Sequence, residues 1–171
     1  EDGATLALQG GVSLNEHFHV WGAGVGGLGS VRSISGNNAL TNTGGVGGAG
    51  YAIRSTTTVG VDADTLTVAG FYQESGSFGI IKIGAGTLVL TQTGDYSNGT
   101  TINGGTVIST KLANTGGYTT LGLATSSNTI TINNGATLTG NIDNWLDNTA
   151  LAAGAANAHS VVINSGGLLK G

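Results

Sequence analysis

Two histidines one residue apart are the first feature of the chain that suggests chemistry. In Glu16-His17-Phe18-His19 both imidazoles share one face if the segment is a strand, because side chains alternate across a strand. Such a pair chelates a transition metal when a third ligand arrives from a neighbouring strand, and Glu16 points the other way. We interpret His17 and His19 as solvated outward side chains, with Phe18 and Val20 facing the core. Metal binding is the alternative.

Carboxylates form few close pairs. Apart from the first two residues, these pairs are Asp62/Asp64 and Asp143/Asp147. A catalytic or calcium site needs several carboxylates that converge with a metal or a basic residue on one strand face. Asp62 and Asp64 are predicted to lie in a corner, beside strand faces of threonine and aliphatic residues. We interpret them as turn-stabilising residues. A calcium or catalytic role is the alternative.

Two glycine-rich segments, residues 24–29 and 45–50, match the pattern G-x-G-x-x-G. A dinucleotide site needs this pattern between a strand and a helix, with an acidic residue about 20 positions further on. Neither copy opens a helix, because polar and glycine residues follow the first and a β-branched run follows the second. We interpret both as loops. The nucleophile elbow G-x-S-x-G of hydrolases is also missing from the sequence.

Composition narrows the class of protein. The 171 residues include 33 glycines and no proline, cysteine or methionine, and 39% are hydrophobic while 8% are charged. The hydrophobic fraction is too high for a disordered linker, and the lack of proline and of a three-residue period excludes collagen. The lack of cysteine excludes disulfides and thiolate metal sites. Short strands joined by tight turns are favoured over helices.

Charge argues against two kinds of partner. The five basic residues are spread along a chain of formal net charge -4, whereas nucleic-acid binding needs a clustered basic face. No apolar run reaches the roughly 18–20 residues that cross a bilayer. We therefore expect no nucleic-acid partner and no membrane contact by this segment. The lack of an initiator methionine and of a signal peptide predicts a piece of a larger protein.

The architecture is predicted by a short sequence motif that recurs along the chain. In this motif a glycine or another small residue is followed by a strand in which apolar and polar residues alternate. Its copies begin at Asp62, Gly84, Asn103, Asn133 and Asn164, which are separated by 22, 19, 30 and 31 residues. Such a unit cannot bury its apolar face alone, so it must stack on copies of itself. The prediction is an all-β fold, a single-stranded right-handed parallel β-helix (solenoid) with lateral loops. Two or three less regular turns of the solenoid, called rungs below, are expected before Asp62.

A period of two assigns the faces of the strands. The residues expected to point inward are Leu6/Leu8, Leu66/Val68, Leu88/Leu90 and Ile130/Ile132, and those expected outward are Thr65/Thr67, Thr87/Val89 and Thr129/Thr131. Two stretches depart from the pattern and are predicted to be lateral excursions. They are the glycine-dense Trp21–Tyr51 and the alanine-rich 144–159, which favours a helical turn around Leu146–Ala153.

Residues 82–109 resemble the passenger-associated transport repeat, also called the autotransporter-associated β-strand repeat. The matching positions are Lys82, Gly84, Gly86, Thr87, Leu88, Leu90, Tyr96, Ser97, Gly99, Thr100, Thr101, Ile102, Asn103, Gly105 and Thr106. The departures are the turn 91–95 and Val107 in place of leucine. Flanking residues 59–70 and 24–38 also resemble the element that precedes this repeat, so the likeness extends over 24–109.

The resemblance implies a right-handed parallel β-helix within a large exported bacterial protein, secreted or held at the cell surface. Residues 1–171 are then one β-helix segment. We predict a non-catalytic structural or adhesive role, not an enzyme, with no cofactor, no catalytic residues and no metal site beyond the candidates above. Expected partners are further rungs, through head-to-tail self-stacking or neighbouring repeats of the same chain, and surface glycans.

Two rival functions stay open. A polysaccharide lyase, hydrolase or tailspike on the same fold requires a groove of charged side chains across adjacent rungs. A carbohydrate-binding adhesin requires aromatic residues aligned on one face, and Tyr72, Tyr96 and Tyr118 are expected to be exposed, although Tyr96 belongs to the repeat and is interpreted as a turn residue. The segments Glu1–Leu6 and Asn164–Leu169 are predicted to share one register and to lack caps.

Overall fold

The computed structural model describes residues 3–45, 48–111, 117–125, 127–140 and 159–171. In these residues the chain forms strands and one 3-10 turn, Val25–Gly27. The strand bounds are β1 Leu6–Gln9, β2 Ser13–Leu14, β3 Phe18–Gly22, β4 Val31–Ser35, β5 Asn38–Leu40, β6 Tyr51–Val61, β7 Thr65–Val68, β8 Phe71–Gln73, β9 Ile80–Ile83, β10 Thr87–Leu90, β11 Thr100–Ile102, β12 Gly105–Ser109, β13 Tyr118–Thr119, β14 Gly122–Leu123, β15 Ile130–Ile132, β16 Ala136–Gly140, β17 Val161–Ile163 and β18 Leu168–Lys170.

Two parallel walls run the length of the described chain. The first wall has the order β1-β4-β6-β9-β11-β15-β17, and the second wall has the order β18-β16-β12-β10-β7-β5-β2. Each strand of the first wall leads directly into one strand of the second, which makes a rung. The seven rungs are β1/β2, β4/β5, β6/β7, β9/β10, β11/β12, β15/β16 and β17/β18. The predicted all-β parallel β-helix is therefore confirmed.

The register of the second wall agrees with the predicted repeat. Thr65, Thr87, Thr106, Thr137 and Leu168 occupy one column. The next residues form an inward column of Leu66, Leu88, Val107, Leu138 and Leu169, of which the first four are fully buried. Each such side chain contributes roughly 1.5–3 kcal/mol through burial. Like residues thus stack on like residues, and the predicted inward and outward assignments of these strands are correct.

A third, shorter wall closes the side of rungs 1 to 3. β3 and β8 both pair in parallel with the first residues of β6, Tyr51–Ile53. Their inward side chains form an aromatic stack in which the rings of Phe18 and Tyr51 lie 6.1 Å apart and those of Tyr51 and Phe71 lie 6.3 Å apart. We call these three segments the lateral wall.

The predicted excursion Trp21–Tyr51 is wrong for its central part. β4 and β5 lie within it and form rung 2, with Val31 and Leu40 buried in the core. Each of these strands is short and flanked by glycine-rich turns, so the alternation pattern of the sequence does not reveal it. The expectation of two or three irregular rungs before Asp62 is correct. Residues 144–158 of the alanine-rich segment, with Asp143 and the predicted helical turn, lie outside the described residues.

The predicted common register of Glu1–Leu6 and Asn164–Leu169 is also wrong. β1 pairs with β4 in the first wall, whereas β18 pairs with β16 in the second wall. Alternating leucines serve both walls equally well, so the pattern does not tell which wall a strand joins. The second-wall strand of rung 1 is β2.

Rung 7 presents an apolar edge. Val162, Ile163 and Leu168 are between 43% and 49% exposed, and β17 and β18 pair on one side with β15 and β16. Ile163 continues the inward column that is fully buried one rung earlier at Ile132. In the part of the chain that the structure describes, no helix is long and apolar enough to span a membrane.

Candidate functional site

Lys82 is the most unusual residue of the repeat, because it takes an aliphatic position. It lies between Val59 and Ile102 in an inward column of the first wall and has no exposed surface. Its Nζ donates to the carbonyl oxygens of Ile83 at 2.9 Å, Gly84 at 2.9 Å and Gly104 at 3.1 Å. One ammonium therefore holds the corners of rungs 4 and 5 together.

Burial sets the titration of this amine. Desolvation lowers the pKa of Lys82 from 10.5 to about 8, and the nearby Asp62 carboxylate opposes the shift. Lys82 is therefore largely charged at neutral pH, with all three N–H groups engaged by carbonyls. Among the described residues, no backbone N–H donates to the carbonyls of Gly84 and Gly104. The lysine thus satisfies corner groups that the strand ladders leave out.

The corner glycines allow the rungs to approach. Gly84 and Gly105 have φ of 85° and 64°, a region that favours glycine. A Cβ on Gly105 would lie 2.3 Å from the carbonyl oxygen of Gly86, and one on Gly84 would lie 2.2 Å from that of Val61. Both contacts are with backbone atoms, so the repeat needs glycine here for stacking.

Tyr96 is buried, which corrects the expectation that it is exposed. It has no accessible surface, and its hydroxyl forms a 2.8 Å hydrogen bond with Thr100 Oγ1. Burial raises the pKa of the Tyr96 phenol well above 10. Its interpretation as a structural turn residue is supported by these contacts. Tyr72 and Tyr118 are half-buried.

The remaining repeat residues lie on the same two rungs. The strand residues among them are Thr87, Leu88, Leu90, Thr101, Ile102 and Thr106, and the corner residues are Gly86, Gly99 and Asn103. Asn103 begins a ladder of side-chain amides on the outer corner. Asn133 Nδ2 donates to Asn103 Oδ1 at 2.6 Å, and Asn164 Nδ2 donates to Asn133 Oδ1 at 2.5 Å. The ladder joins rungs 5, 6 and 7.

The carboxylates of Asp62 and Asp64 bind the preceding rung. Asp62 Oδ2 accepts from Arg32 Nη2 at 2.6 Å, and Asp64 Oδ2 accepts from the backbone N–H of Gly36 at 2.7 Å. Asp64 is also the single non-glycine residue with positive φ, 55°, among the described residues. Both aspartates therefore stabilise corners, although across rungs rather than within their own turn.

The glycine motif at 24–29 forms a tight turn. Gly24 and Gly29 are packed so closely that a Cβ on Gly24 would lie 2.0 Å from the Gly29 carbonyl oxygen. The 3-10 turn Val25–Gly27 lies between them and leads into β4 rather than a helix. The geometry is therefore not that of a dinucleotide site. Val46 and Gly47 of the second copy lie outside the described residues.

The sequence shows no partner for His159, yet the structure supplies two. Its Nε2 lies 2.9 Å from Thr119 Oγ1, and its Nδ1 lies 2.9 Å from the carbonyl oxygen of Asn128. The residue is 8% exposed, and burial lowers the pKa of its imidazole. The ring anchors the chain that enters rung 7 against the hairpin of β13 and β14.

His17 and His19 lie on the exposed side of the lateral wall, while Phe18 and Val20 face inward as predicted. The two imidazole rings are 4.9 Å apart at 90°. Their nitrogens have separate partners: His17 Nε2 is 2.9 Å from the Tyr72 hydroxyl, and His19 Nδ1 is 3.0 Å from Glu74 Oε1. No three His, Cys, Asp or Glu side chains within the described ranges are arranged to hold a metal ion.

Glu74 links this pair to a cation and an indole. Arg54 Nε donates to Glu74 Oε2 at 2.6 Å, and the guanidinium carbon lies 5.8 Å from the centre of the Trp21 ring. The hydrogen bond from Arg54 is the main reason that the pKa of Glu74 is lowered. We call the outward surface of the lateral wall the lateral face, formed by His17, His19, Trp21, Arg54, Tyr72 and Glu74. Sequence patterns do not reveal it, because its strands carry no common motif.

Comparison with known proteins concerns the two rungs that Lys82 joins. Residues 80–108 match the family model described as passenger-associated-transport-repeat. Residues 80–108 form a passenger-associated transport repeat. The match spans β9 to β12, and the resemblance predicted for 82–109 is confirmed there, whereas its extension over 24–79 stays a prediction. No curated protein and no solved structure matches the chain.

The match to a passenger-associated transport repeat implies export. Such a repeat is a feature of autotransporter passenger domains, which implies a surface protein exported by a bacterium. In this repeat Lys82 and Gly105 serve the stacking of rungs at the corners, and Tyr96 pairs with Thr100 inside. These contacts are packing contacts.

Proposed function

We propose that the chain is a non-catalytic structural segment of an autotransporter passenger, a stretch of stalk or fibre outside the cell. The observation that carries this proposal is the passenger repeat, whose buried lysine joins two rungs in a stack of seven. Stacked rungs transmit load through backbone ladders and continuous side-chain columns. An extended spacer needs no more chemistry than this.

The distribution of carboxylates supports a role without catalysis. Asp62, Asp64, Glu74 and Asp95 each accept a hydrogen bond or ion pair from within the chain. Asp62 and Asp64 share one corner, whereas Glu74 and Asp95 both lie near Tyr72. A polysaccharide-cleaving enzyme requires two carboxylates that flank the scissile bond and are available as acid, base or nucleophile. The engagement of these four carboxylates within the chain favours the structural role over the enzyme hypothesis.

The apolar edge of rung 7 supports stacking as the mode of assembly. Val162, Ile163 and Leu168 would be covered by another rung, either a neighbouring repeat of the same chain or the first rung of a second copy. Sedimentation velocity at rising concentration tests self-stacking. We expect end-to-end oligomers that Ile163→Lys disrupts, whereas a monomer at all concentrations would contradict self-stacking.

The stalk role is tested by a distance. The seven rungs of the described residues, at a strand spacing of about 4.8 Å, give a length of about 34 Å. The chain is displayed on a Gram-negative surface between an epitope tag and a membrane-anchored translocator, and energy transfer from the tag to a membrane dye is measured. We expect the tag to move outward by about 34 Å for one copy and by twice that for two copies. An unchanged distance would refute the stalk role.

A further inference from the structure

The lateral face concentrates side chains that are rare in this chain. Only 5% of the residues are aromatic and 8% are charged, yet the face combines two of the three histidines with a tryptophan, a tyrosine, an arginine and a glutamate. The outward column of the second wall, by contrast, holds Thr65, Thr87, Thr106 and Thr137. We propose that the lateral face and the cavity beside it bind a neutral saccharide.

The cavity has the size of one sugar ring. It measures about 260 Å³ and is bounded by His19 and Trp21 of the lateral face, together with Phe18, Leu6, Thr5 and Ser30. This space is many times the roughly 10–15 Å³ that one water needs on the same measure, which leaves room for a pyranose ring. His19 and Trp21 belong to both surfaces, so a ligand seated in the cavity reaches the lateral face directly.

The chemistry of the lining suits a saccharide. A pyranose has an apolar C–H face and a rim of hydroxyls, and it therefore needs flat aromatic surface beside fixed polar groups. Trp21 and Tyr72 provide rings with a polar tip. Glu74 is held by Arg54 and His19 through short bonds, so its oxygens and their donors are oriented before a ligand arrives. Such preorganisation lowers the entropy cost of binding.

Wall stability does not require this network. The three segments of the lateral wall are already joined by parallel backbone ladders and by the inward aromatic stack. Exposed ion pairs such as Arg54–Glu74 contribute at most about 1 kcal/mol to folding. The concentration of polar and aromatic groups on the outer side therefore points to a ligand.

The charge balance selects a neutral ligand. The one arginine of the lateral face is paired with Glu74, at 2.6 Å, and the chain carries a formal net charge of -4. An anionic polysaccharide would meet no unpaired cation on this face and would be repelled at long range. The hydroxyl groups of a neutral sugar can form hydrogen bonds with the Glu74 carboxylate and the two imidazoles, and no charge repulsion opposes their approach. This site goes beyond the stalk role, and either proposal stands if the other fails.

The three histidines make the site observable. Neutral oligosaccharides are first screened on a glycan array, and a bound one is then titrated against the chain while the ring C–H resonances are followed by NMR. We expect saturable shifts for His17 and His19 and none for His159, which is buried away from the lateral face. Trp21→Ala should weaken binding about tenfold or more, equivalent to about 1.4 kcal/mol.

Controls separate binding from folding. Thr67→Ala, on an outward position of the second wall, should leave the affinity unchanged. His17→Ala changes an exposed residue and should weaken binding even if Trp21→Ala proves unstable. The proposal is overturned if no neutral glycan binds, if only acidic glycans such as heparin hexasaccharide bind, or if both alanine variants of the lateral face bind as the original chain does.

Discussion

Replacing Lys82 by methionine tests how the passenger repeat joins its rungs. Methionine keeps the length and volume of the stem but cannot donate to the carbonyls of Ile83, Gly84 and Gly104. Hydrogen bonds from a charged donor contribute about 1.5–3 kcal/mol each. The pKa shift from 10.5 to about 8 means that burial disfavours the charged amine even with its partners in place. Methionine removes this charge but leaves three corner carbonyls without their donor, at about 1–3 kcal/mol each, and we expect the loss of the three to dominate.

Lys82→Met should therefore lower the free energy of unfolding by about 2 kcal/mol or more at pH 7. Urea titration followed by circular dichroism measures this change. Lys170→Met is the matched control, because Lys170 is exposed on the last strand, and its effect should stay within about 0.5 kcal/mol. A Lys82→Met protein as stable as the original would refute the inference that Lys82 holds the corners of rungs 4 and 5 together.

The same amine predicts a dependence on alkaline pH. Since the folded pKa of Lys82 is about 8 and the unfolded value is 10.5, the unfolded chain binds more protons between these two values. The free energy of unfolding of the original chain should therefore rise with pH across this window. Above pH 10 the trend reverses, because burial raises the pKa of Tyr96 and Tyr51. Lys82→Met should lack the rise.

Three further predictions concern single residues. Gly105→Ala should cost about 3 kcal/mol or prevent folding, because its Cβ meets backbone, whereas Gly104→Ala, whose nearest contact is at 3.4 Å, should cost less than about 1 kcal/mol in the same urea assay. Asn133→Ala should cost about 1–2 kcal/mol by removing both bonds of the amide ladder, and equal stability would contradict it. Because burial lowers the folded pKa of His159, stability should fall as pH drops below 6.5, and His159→Leu should flatten that slope in denaturation series from pH 7 to pH 5.

Sequence periodicity was sufficient to predict the stack but not its walls. The copies of the motif that begin at Asp62, Gly84 and Asn103 precede β7, β10 and β12, and their spacing agrees with the register of these strands. The agreement is expected because similar units must stack in register to bury their leucines. Alternation of apolar and polar residues is ambiguous in two places. It does not show which wall β1 joins, and it does not reveal β4 and β5 within a glycine-rich stretch.

The candidate sites depend on contacts that no local pattern encodes. His17 meets Tyr72 across 55 residues, and the pairing of their strands has no repeated motif. Lys82 belonged to a recognised motif, yet its burial is unexpected for a charged residue. Lys82 follows Ile80 by two residues, and residues two apart on a strand share a face, so the sequence indicates that Lys82 points inward. A charged side chain at an inward position predicts carbonyl groups near its ammonium.

The stacking of rungs 4 and 5 is tested most directly by a pair of engineered cysteines, since the chain has none of its own. Thr87 and Thr106 are direct neighbours in the second wall, and parallel strands about 4.8 Å apart meet the Cα separation of a disulfide. Oxidised Thr87→Cys/Thr106→Cys protein should form an internal disulfide, detected by peptide mass spectrometry, while Thr87→Cys/Thr137→Cys, two rungs apart, should not. Equal cross-linking of both pairs, or of neither, would contradict the stacked repeat.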